Sequence, residues 1–229
     1  MVLIAIRQPG YFPYLGFFKK IQTCDIFVCF DDAQYAIRAW DNRNKIKQEQ
    51  GSMWISVPVS DPFKKKLNEV KIANDEWISK HIVAIENNYQ RAPYFNDYWN
   101  DIKSILNNKW EKLIDLNLAL IKYFIEILDI KTKIIYSSEL NVTGSSSIKL
   151  LNICKKLNAD SYFSGIMGKE YLDENLFKKE KINLVYENFI HPTYSQIHGE
   201  FIPNLSIMDI LFNEGENSKI ILKKSKNIT

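Results

Sequence analysis

Val2 to Lys47, reading VLIAI, RQPGYFPYLGFFKKIQTC, DIFVCF and DDAQYAIRAWDNRNKIK, is the stretch whose pattern decides the fold. Two apolar runs, Val2 to Ile6 and Ile26 to Phe30, are short, rich in β-branched and aromatic residues, and bounded by polar ones, as strands buried on both faces are. The first ends in Arg7 and Gln8, the second in Asp31 and Asp32. Between them lies an amphipathic segment with Leu15, Phe18 and Ile21 inward and Lys19, Lys20 and Gln22 outward. The pattern is that of a βαβ unit. A right-handed crossover between parallel strands puts both polar endings on one sheet edge, where open α/β sheets hold ligands. Gln8, Asp31 and Asp32 are therefore expected to meet there.

The same alternation continues along the chain. Lys133 to Tyr136, ending in Ser137 and Ser138, and Ser161 to Phe163, ending in Ser164 and Gly165, read as further strands of one largely parallel, Rossmann-like sheet. Ile182 to Glu187 reads as another strand, and Ser206 to Phe212 as a last helix. Asp75 to Leu128 has uninterrupted helical periodicity, broken only at Pro93, with Asp75 available as a cap and His81 on the apolar face of its first helix. The expected organisation is a divided α/β domain, residues 1–74 and 130–229, with a helical insertion over 75–129. Ala33 to Gln50 shows no period and reads as a long polar loop punctuated by Trp40, of the kind that is usually functional. Met53 to Val59 alternates like a strand, and Pro58 suits an edge.

At 229 residues, with 46% hydrophobic and 25% charged residues, the composition is that of a globular chain. The net charge of +3 does not call for nucleic acid, and Lys64–Lys66 and the C-terminal lysines read as solvated faces. Cys24, Cys29 and Cys154 have no metal-ligand spacing and sit in apolar elements, as reduced buried thiols do. No apolar stretch reaches the length of a membrane span and no signal-peptide pattern precedes the first strand, so a cytoplasmic protein is expected. Nothing in the pattern sets an oligomeric state.

The residues that carry chemistry are few. P-loop, G-x-G-x-x-G, G-x-S-x-G and H-E-x-x-H patterns are absent, which disfavours several familiar reactions. Asp31 and Asp32 suit a base or an oxygen-rich ligand, against the alternative of one turn-forming and one structural carboxylate. His81 reads equally as a site residue or as a core histidine. Asn42, Arg43, Asn44 and Lys47 form a donor-rich set suited to phosphate or carboxylate, with Trp40 beside it. Tyr11 to Phe17, between first strand and first helix, is similar in layout to the H-x-G-H turn of the nucleotidyltransferase superfamily, with Tyr14 and Phe17 where that turn keeps its histidines.

One combination of motifs is more specific. Gln8-Pro9, Tyr11, Pro13 and Gly16 are followed by Asp31-Asp32-x-Gln34, Trp40-x-Asn42-Arg43-Asn44, Lys80-His81, Ala92-Pro93-Tyr94-Phe95, Ala159-Asp160-x-Tyr162-x-Ser164-Gly165, and Phe201-x-Pro203-x-Leu205-Ser206-Ile207-x-Asp209-x-Leu211. Together they resemble the WbqC family over nearly the whole chain, with Arg7 standing where that family often has His or Met. The resemblance implies a setting among genes for O-antigen, capsule and other surface glycans, and hence nucleotide-linked sugars as ligands. The most concrete activity expected is N-acyl transfer to an amino sugar from an acyl donor such as a thioester, with no metal site and no other cofactor indicated. Asp32 or His81 would be the base, and Gln8, Asn44 or the backbone at Ser164-Gly165 would lie near the acyl oxygen. Tyr11, Gln34, Trp40, Arg43, Lys47 and Ser138 would line the ligand site. A non-catalytic scaffold in a glycan-assembly complex is the alternative, distinguished by an exposed apolar patch in place of a concave polar site.

Overall fold

The structure is a computed structural model and describes residues 1–227. Its nine strands are β1 (Leu3–Arg7), β2 (Ile26–Cys29), β3 (Arg43–Lys47), β4 (Ser52–Ser56), β5 (Val59–Ser60), β6 (Lys71–Ile72), β7 (Lys133–Tyr136), β8 (Ser161–Ser164) and β9 (Asn183–Tyr186). Five of them build one sheet in the order β7-β2-β1-β8-β9, and every pairing in it is parallel. Counted along the chain, the five run 3-2-1-4-5, the doubly wound order whose direction of travel reverses between β1 and β8. The expected parallel sheet is present, with its boundaries shifted by about one residue at the strand ends, where assignment is least sharp.

The helices are α1 (Leu15–Thr23), α2 (Glu76–Tyr89), α3 (Phe95–Asn107), α4 (Leu113–Ile127), α5 (Ser146–Lys156), α6 (Gly168–Tyr171), α7 (Glu174–Lys179), α8 (Ile207–Glu214) and α9 (Asn217–Lys224). Alternation along the buried strands sorts them into two layers. Ala5, Phe27 and Phe163 point to one face and pack with Phe18 of α1, Phe124 of α4 and Leu211 of α8 in one continuous core. Ile4, Ile6, Val28 and Tyr162 point to the other and pack with Leu151 and Cys154 of α5 and Phe177 of α7. Fully buried aromatics such as Phe18, Phe27, Phe124 and Phe163 each contribute about 1.5–3 kcal/mol of apolar burial.

The span 75–129 is helical, as its periodicity indicated, in three helices that share the first of these cores. Asp75 does not cap α2 with its side chain; Asn74 Oδ1 accepts from the Glu76 amide at 3.1 Å in its place.

Two expectations fail. Within the presumed loop 33–50, Arg43–Lys47 is a strand paired antiparallel with Ser52–Ser56. Its inward positions include Asn44 and Lys47, both buried, so polar residues occupy the core face and conceal the period of two on which a strand reading depends. Lys20, placed outward by the α1 pattern, is 1% exposed. Burial is tolerated because Glu187 lies 3.2 Å from its ammonium and the Phe163 ring centroid 4.7 Å away, an ion pair and a cation–π contact that a helical wheel cannot anticipate.

Gly16 shows how tightly α1 meets its surroundings. A Cβ there would stand 2.4 Å from the Tyr14 ring and 2.8 Å from the Phe189 ring. Gly16→Ala is expected to cost roughly 1–3 kcal/mol through overpacking, read as a lower urea midpoint at unchanged slope; a midpoint equal to wild type would show that the rings move aside freely.

Candidate functional site

The carboxyl ends of the five strands collect Arg7 and Gln8, Asp31 and Asp32, Ser137 and Ser138, Ser164 and Gly165, and Glu187 on one sheet edge. Two adjoining cavities open there at the β1/β8 reversal. One, of about 550 Å³, is lined by residues that include Trp40, Asp41, Asn44 and Phe189. The other, of about 420 Å³, is lined by residues that include Lys20, Tyr162, Gly165 and Tyr171. Arg7, Gln8, Tyr14, Ile166 and Glu187 belong to both and form the junction. These volumes are of the size that holds a small ligand.

At the junction the charges are organised by Glu187. Its Oε2 lies 3.2 Å from Lys20 Nζ and 3.5 Å from the Arg7 guanidinium, while Oε1 is buried without a hydrogen-bond partner among the described residues. Burial pushes the Lys20 ammonium down to about 8, with the Glu187 charge opposing it and the Arg7 charge adding to it. Arg7 stands over the Tyr14 and Phe17 rings at 5.6 and 5.9 Å, so β1 and α1 together hold the guanidinium at the cavity wall.

In the first cavity the notable group is Asp41, 4% exposed. Burial pushes its carboxyl up to about 6, because the Ala36 amide at 3.2 Å is the one donor that opposes desolvation. Asn117 of α4 fixes the adjoining loops, its Nδ2 donating to Asp41 O at 2.7 Å and to Pro9 O at 3.0 Å. Gly10 permits that closeness, since a Cβ on it would lie 2.8 Å from Trp40 O. Gln8 donates from Nε2 to Gln34 O at 3.1 Å and lines both cavities.

The other expected site residues fall into separate groups. Asp31 accepts from Ser137 Oγ, the Ser138 amide and Ser138 Oγ at 2.9, 3.0 and 2.6 Å. Asp32 accepts from Ser137 Oγ and from Lys149. Burial alone would raise the Asp32 carboxyl, but the hydrogen bonds and the Lys149 charge outweigh it and hold it below the usual aspartate range. Asp32 is thus an ionised, occupied partner of Lys149, and it lines neither cavity.

His81 is buried against Trp77, its Nδ1 2.9 Å from the hydroxyl of the wholly buried Tyr11. Burial pushes its imidazole down to about 4. Of the two readings open to it, the geometry is that of the core histidine. Arg43 also stays out of both cavities. Its Nε donates to Ala39 O at 3.2 Å, another guanidinium nitrogen donates to Arg38 O, and the group lies 4.3 Å from the Trp54 ring centroid. Trp54 in turn packs 5.1 Å from Trp40, so Arg43 and Trp54 brace the loop that carries Trp40 into the first cavity.

Asn44 spends its amide on Phe12 O at 2.6 Å, Asn42 on Val57 O at 2.8 Å, and Lys47 on Gln196 and the Glu200 carbonyl. These donors secure the turn at Phe12, whose φ is 44°, the β3–β4 hairpin and the C-terminal segment. Ser164 is buried and Gly165 lines the second cavity. Among the described residues no group of three or more His, Cys, Asp or Glu side chains is placed to hold a metal ion.

Sequence comparison agrees with this arrangement. The model of the WbqC-like protein family matches residues 8–221. The chain belongs to that family. A WbqC-like relative of similar length, the uncharacterized protein Rv1507c of Mycobacterium tuberculosis, is 34% identical over 227 residues, covering 97% of this chain and 98% of its own. The match begins at Gln8, so it takes in every junction residue except Arg7.

Proposed function

We propose that the chain is an enzyme of surface-glycan assembly that binds a nucleotide-linked amino sugar in the cleft at the β1/β8 reversal and acylates its amine. One observation supports this above the rest: two cavities meet at a charged junction, which suits two substrates that must exchange a group, and a buried carboxyl poised near neutrality lines the first. Family membership supports the glycan setting. The aromatic side chains of Tyr14, Phe17, Trp40 and Phe189 around the first cavity offer faces on which a base or a sugar ring stacks.

Asp41 takes the base role in this reading in place of Asp32 and His81. Its carboxylate removes a proton from the sugar ammonium, and the freed amine attacks the carbonyl carbon of an acyl thioester. The oxyanion forms near Gln8, the carbon–sulfur bond breaks, and the proton held by Asp41 passes to the departing thiolate. A base with a pKa near 6 is matched to this work at neutral pH. Residues 1–74 and 130–229 supply the cavity walls, and the helical span 75–129 supplies Asn117, which holds two of the lining loops. Nucleotide sugars and acyl thioesters place the reaction in the cytoplasm, in keeping with the absence, among the described residues, of any helix long and apolar enough to cross a membrane.

The scaffold alternative draws on Ile166, Met167 and Tyr171, which are exposed at the rim. A thermal-shift series separates the two. Nucleotide-linked amino sugars are expected to raise the melting point, by about 2.7 kcal/mol of added stability when present at 100 times Kd, and their hydroxyl counterparts to raise it less. No response to any nucleotide sugar would refute the enzyme reading.

A further inference from the structure

The second cavity has a recognition problem that nothing in the chain solves. At its mouth two cations, Arg7 and Lys20, face one carboxylate, Glu187, which leaves the trio with one uncompensated positive charge. Glu187 is 7% exposed, and its Oε1 has no donor among the described residues. A buried carboxylate oxygen without a donor is costly, and such an oxygen on a cavity wall calls for one from outside. Behind the trio the cavity is apolar and aromatic, walled by Ile6, Phe30, Leu150, Tyr162 and Tyr171.

We infer that the second cavity binds a small monocarboxylate that carries a hydroxyl on the carbon next to its carboxyl group and an apolar or aromatic body. The carboxylate meets Arg7 and cancels the excess positive charge. The neighbouring hydroxyl donates to Glu187 Oε1, and the body fills the apolar space. Charge selects this class over an amino acid. A zwitterion would bring no net charge and leave the excess in place, whereas a hydroxy acid brings one negative charge together with a neutral donor. Phosphate alone brings no apolar body. The inference goes beyond the acyl-transfer reading and does not depend on it, because it concerns binding in one cavity.

Isothermal titration of the full chain near neutral pH tests it with phenyllactate, phenylpropionate, phenylalanine, phenyllactate methyl ester and inorganic phosphate. Phenyllactate is expected to bind, with phenylpropionate about tenfold weaker for want of the donor and the ester weaker still for want of the charge. Phenylalanine is expected to be weaker than phenyllactate. Arg7→Met keeps the Lys20–Glu187 pair, so the fold should hold while phenyllactate affinity falls at least about tenfold. Lys20→Met removes the other cation, and preserved binding there would confirm that Arg7 receives the carboxylate.

Failure of phenyllactate to bind overturns the inference, as does equal affinity for phenylpropionate. Equal affinity for phosphate would mean that Arg7 takes any anion, and overturns it too. Nucleotide-sugar stabilisation without phenyllactate binding would sink this inference and leave the proposed function standing. Phenyllactate binding without nucleotide-sugar stabilisation would do the reverse.

Discussion

Asp209→Ala is expected to destabilise the chain by roughly 3–5 kcal/mol, the loss that follows when one member of a buried charged network is removed. Asp209 is 0% exposed and accepts from Tyr89 Oη at 2.8 Å, Tyr194 Oη at 2.7 Å and Gln196 Nε2 at 2.7 Å. Tyr89 Oη accepts in turn from the Lys47 amide at 2.8 Å, and the Lys47 ammonium donates to Gln196 Oε1 at 3.0 Å. Alanine would strand two hydroxyls, an amide and a buried ammonium, and each unmet group costs about 1–3 kcal/mol.

The network also ties β3, α2 and α8 to the segment that carries Asn204 to the first cavity, so ligand affinity should fall along with stability. Denaturant unfolding near neutral pH should show a much lower midpoint at unchanged slope. Asp209→Asn keeps the shape and one acceptor oxygen and should lose less. A loss below about 1 kcal/mol for the alanine variant would show that water readily replaces the carboxylate.

Acid should expose His81. Its folded pKa of about 4 lies below the ordinary value of 6.5, so the unfolded chain binds the proton first. The stability held by the neutral ring is fully present above 6.5 and is lost as pH falls toward 4, by up to about 3 kcal/mol. His81→Phe should flatten that part of the stability–pH curve; an unchanged slope would mean that the ring is not held neutral.

The sheet was legible because its strands follow the rule that strands buried on both faces read as apolar runs: Val2 to Ile6 and Ile26 to Phe30 admit no polar residue. The ends of those runs also pointed to the correct edge. Partnerships across the fold were not legible. Asp31, Asp32, Ser137 and Ser138 do come together, but Lys149, from a helix more than a hundred residues downstream, occupies Asp32. Arg43 looked like a ligand donor because a one-dimensional pattern does not show that the carbonyls of Arg38 and Ala39 use it.

Glu187 was within reach of sequence reasoning. It ends an apolar strand in a polar residue, as Gln8 and Ser164 do, and the same rule applied to that strand would have placed it at the site. Lys20 and Asp41 carried no such signal. One sits on a helix face that normally faces water and the other in a polar run, and their burial is a product of tertiary packing alone.

Asp41→Asn tests the proposed base directly and should move activity and stability in opposite directions. Turnover, once a substrate pair is in hand, should fall by about 100-fold or more, since an amide cannot accept the proton. Stability near neutral pH should rise, because the wild-type chain keeps a buried carboxylate with a single amide donor.

The sign follows from the shift. A folded pKa of about 6 against the usual 3.8 means that the folded state prefers the protonated form. The favourable contribution is full below 3.8 and is lost as pH rises through about 6, a swing of up to about 3 kcal/mol. The variant cannot ionise, so its advantage is largest above 6 and vanishes toward 3.8. The buried amide N–H groups need acceptors, which reduces the expected gain to about 1–2 kcal/mol. His81 acts in the opposite sense over an overlapping window, so the comparison is the difference between variant and wild type at each pH. A gain that persists unchanged at pH 4 would place its origin elsewhere than in the Asp41 charge. Full turnover by Asp41→Asn would remove Asp41 from the chemistry even if the stability gain is found.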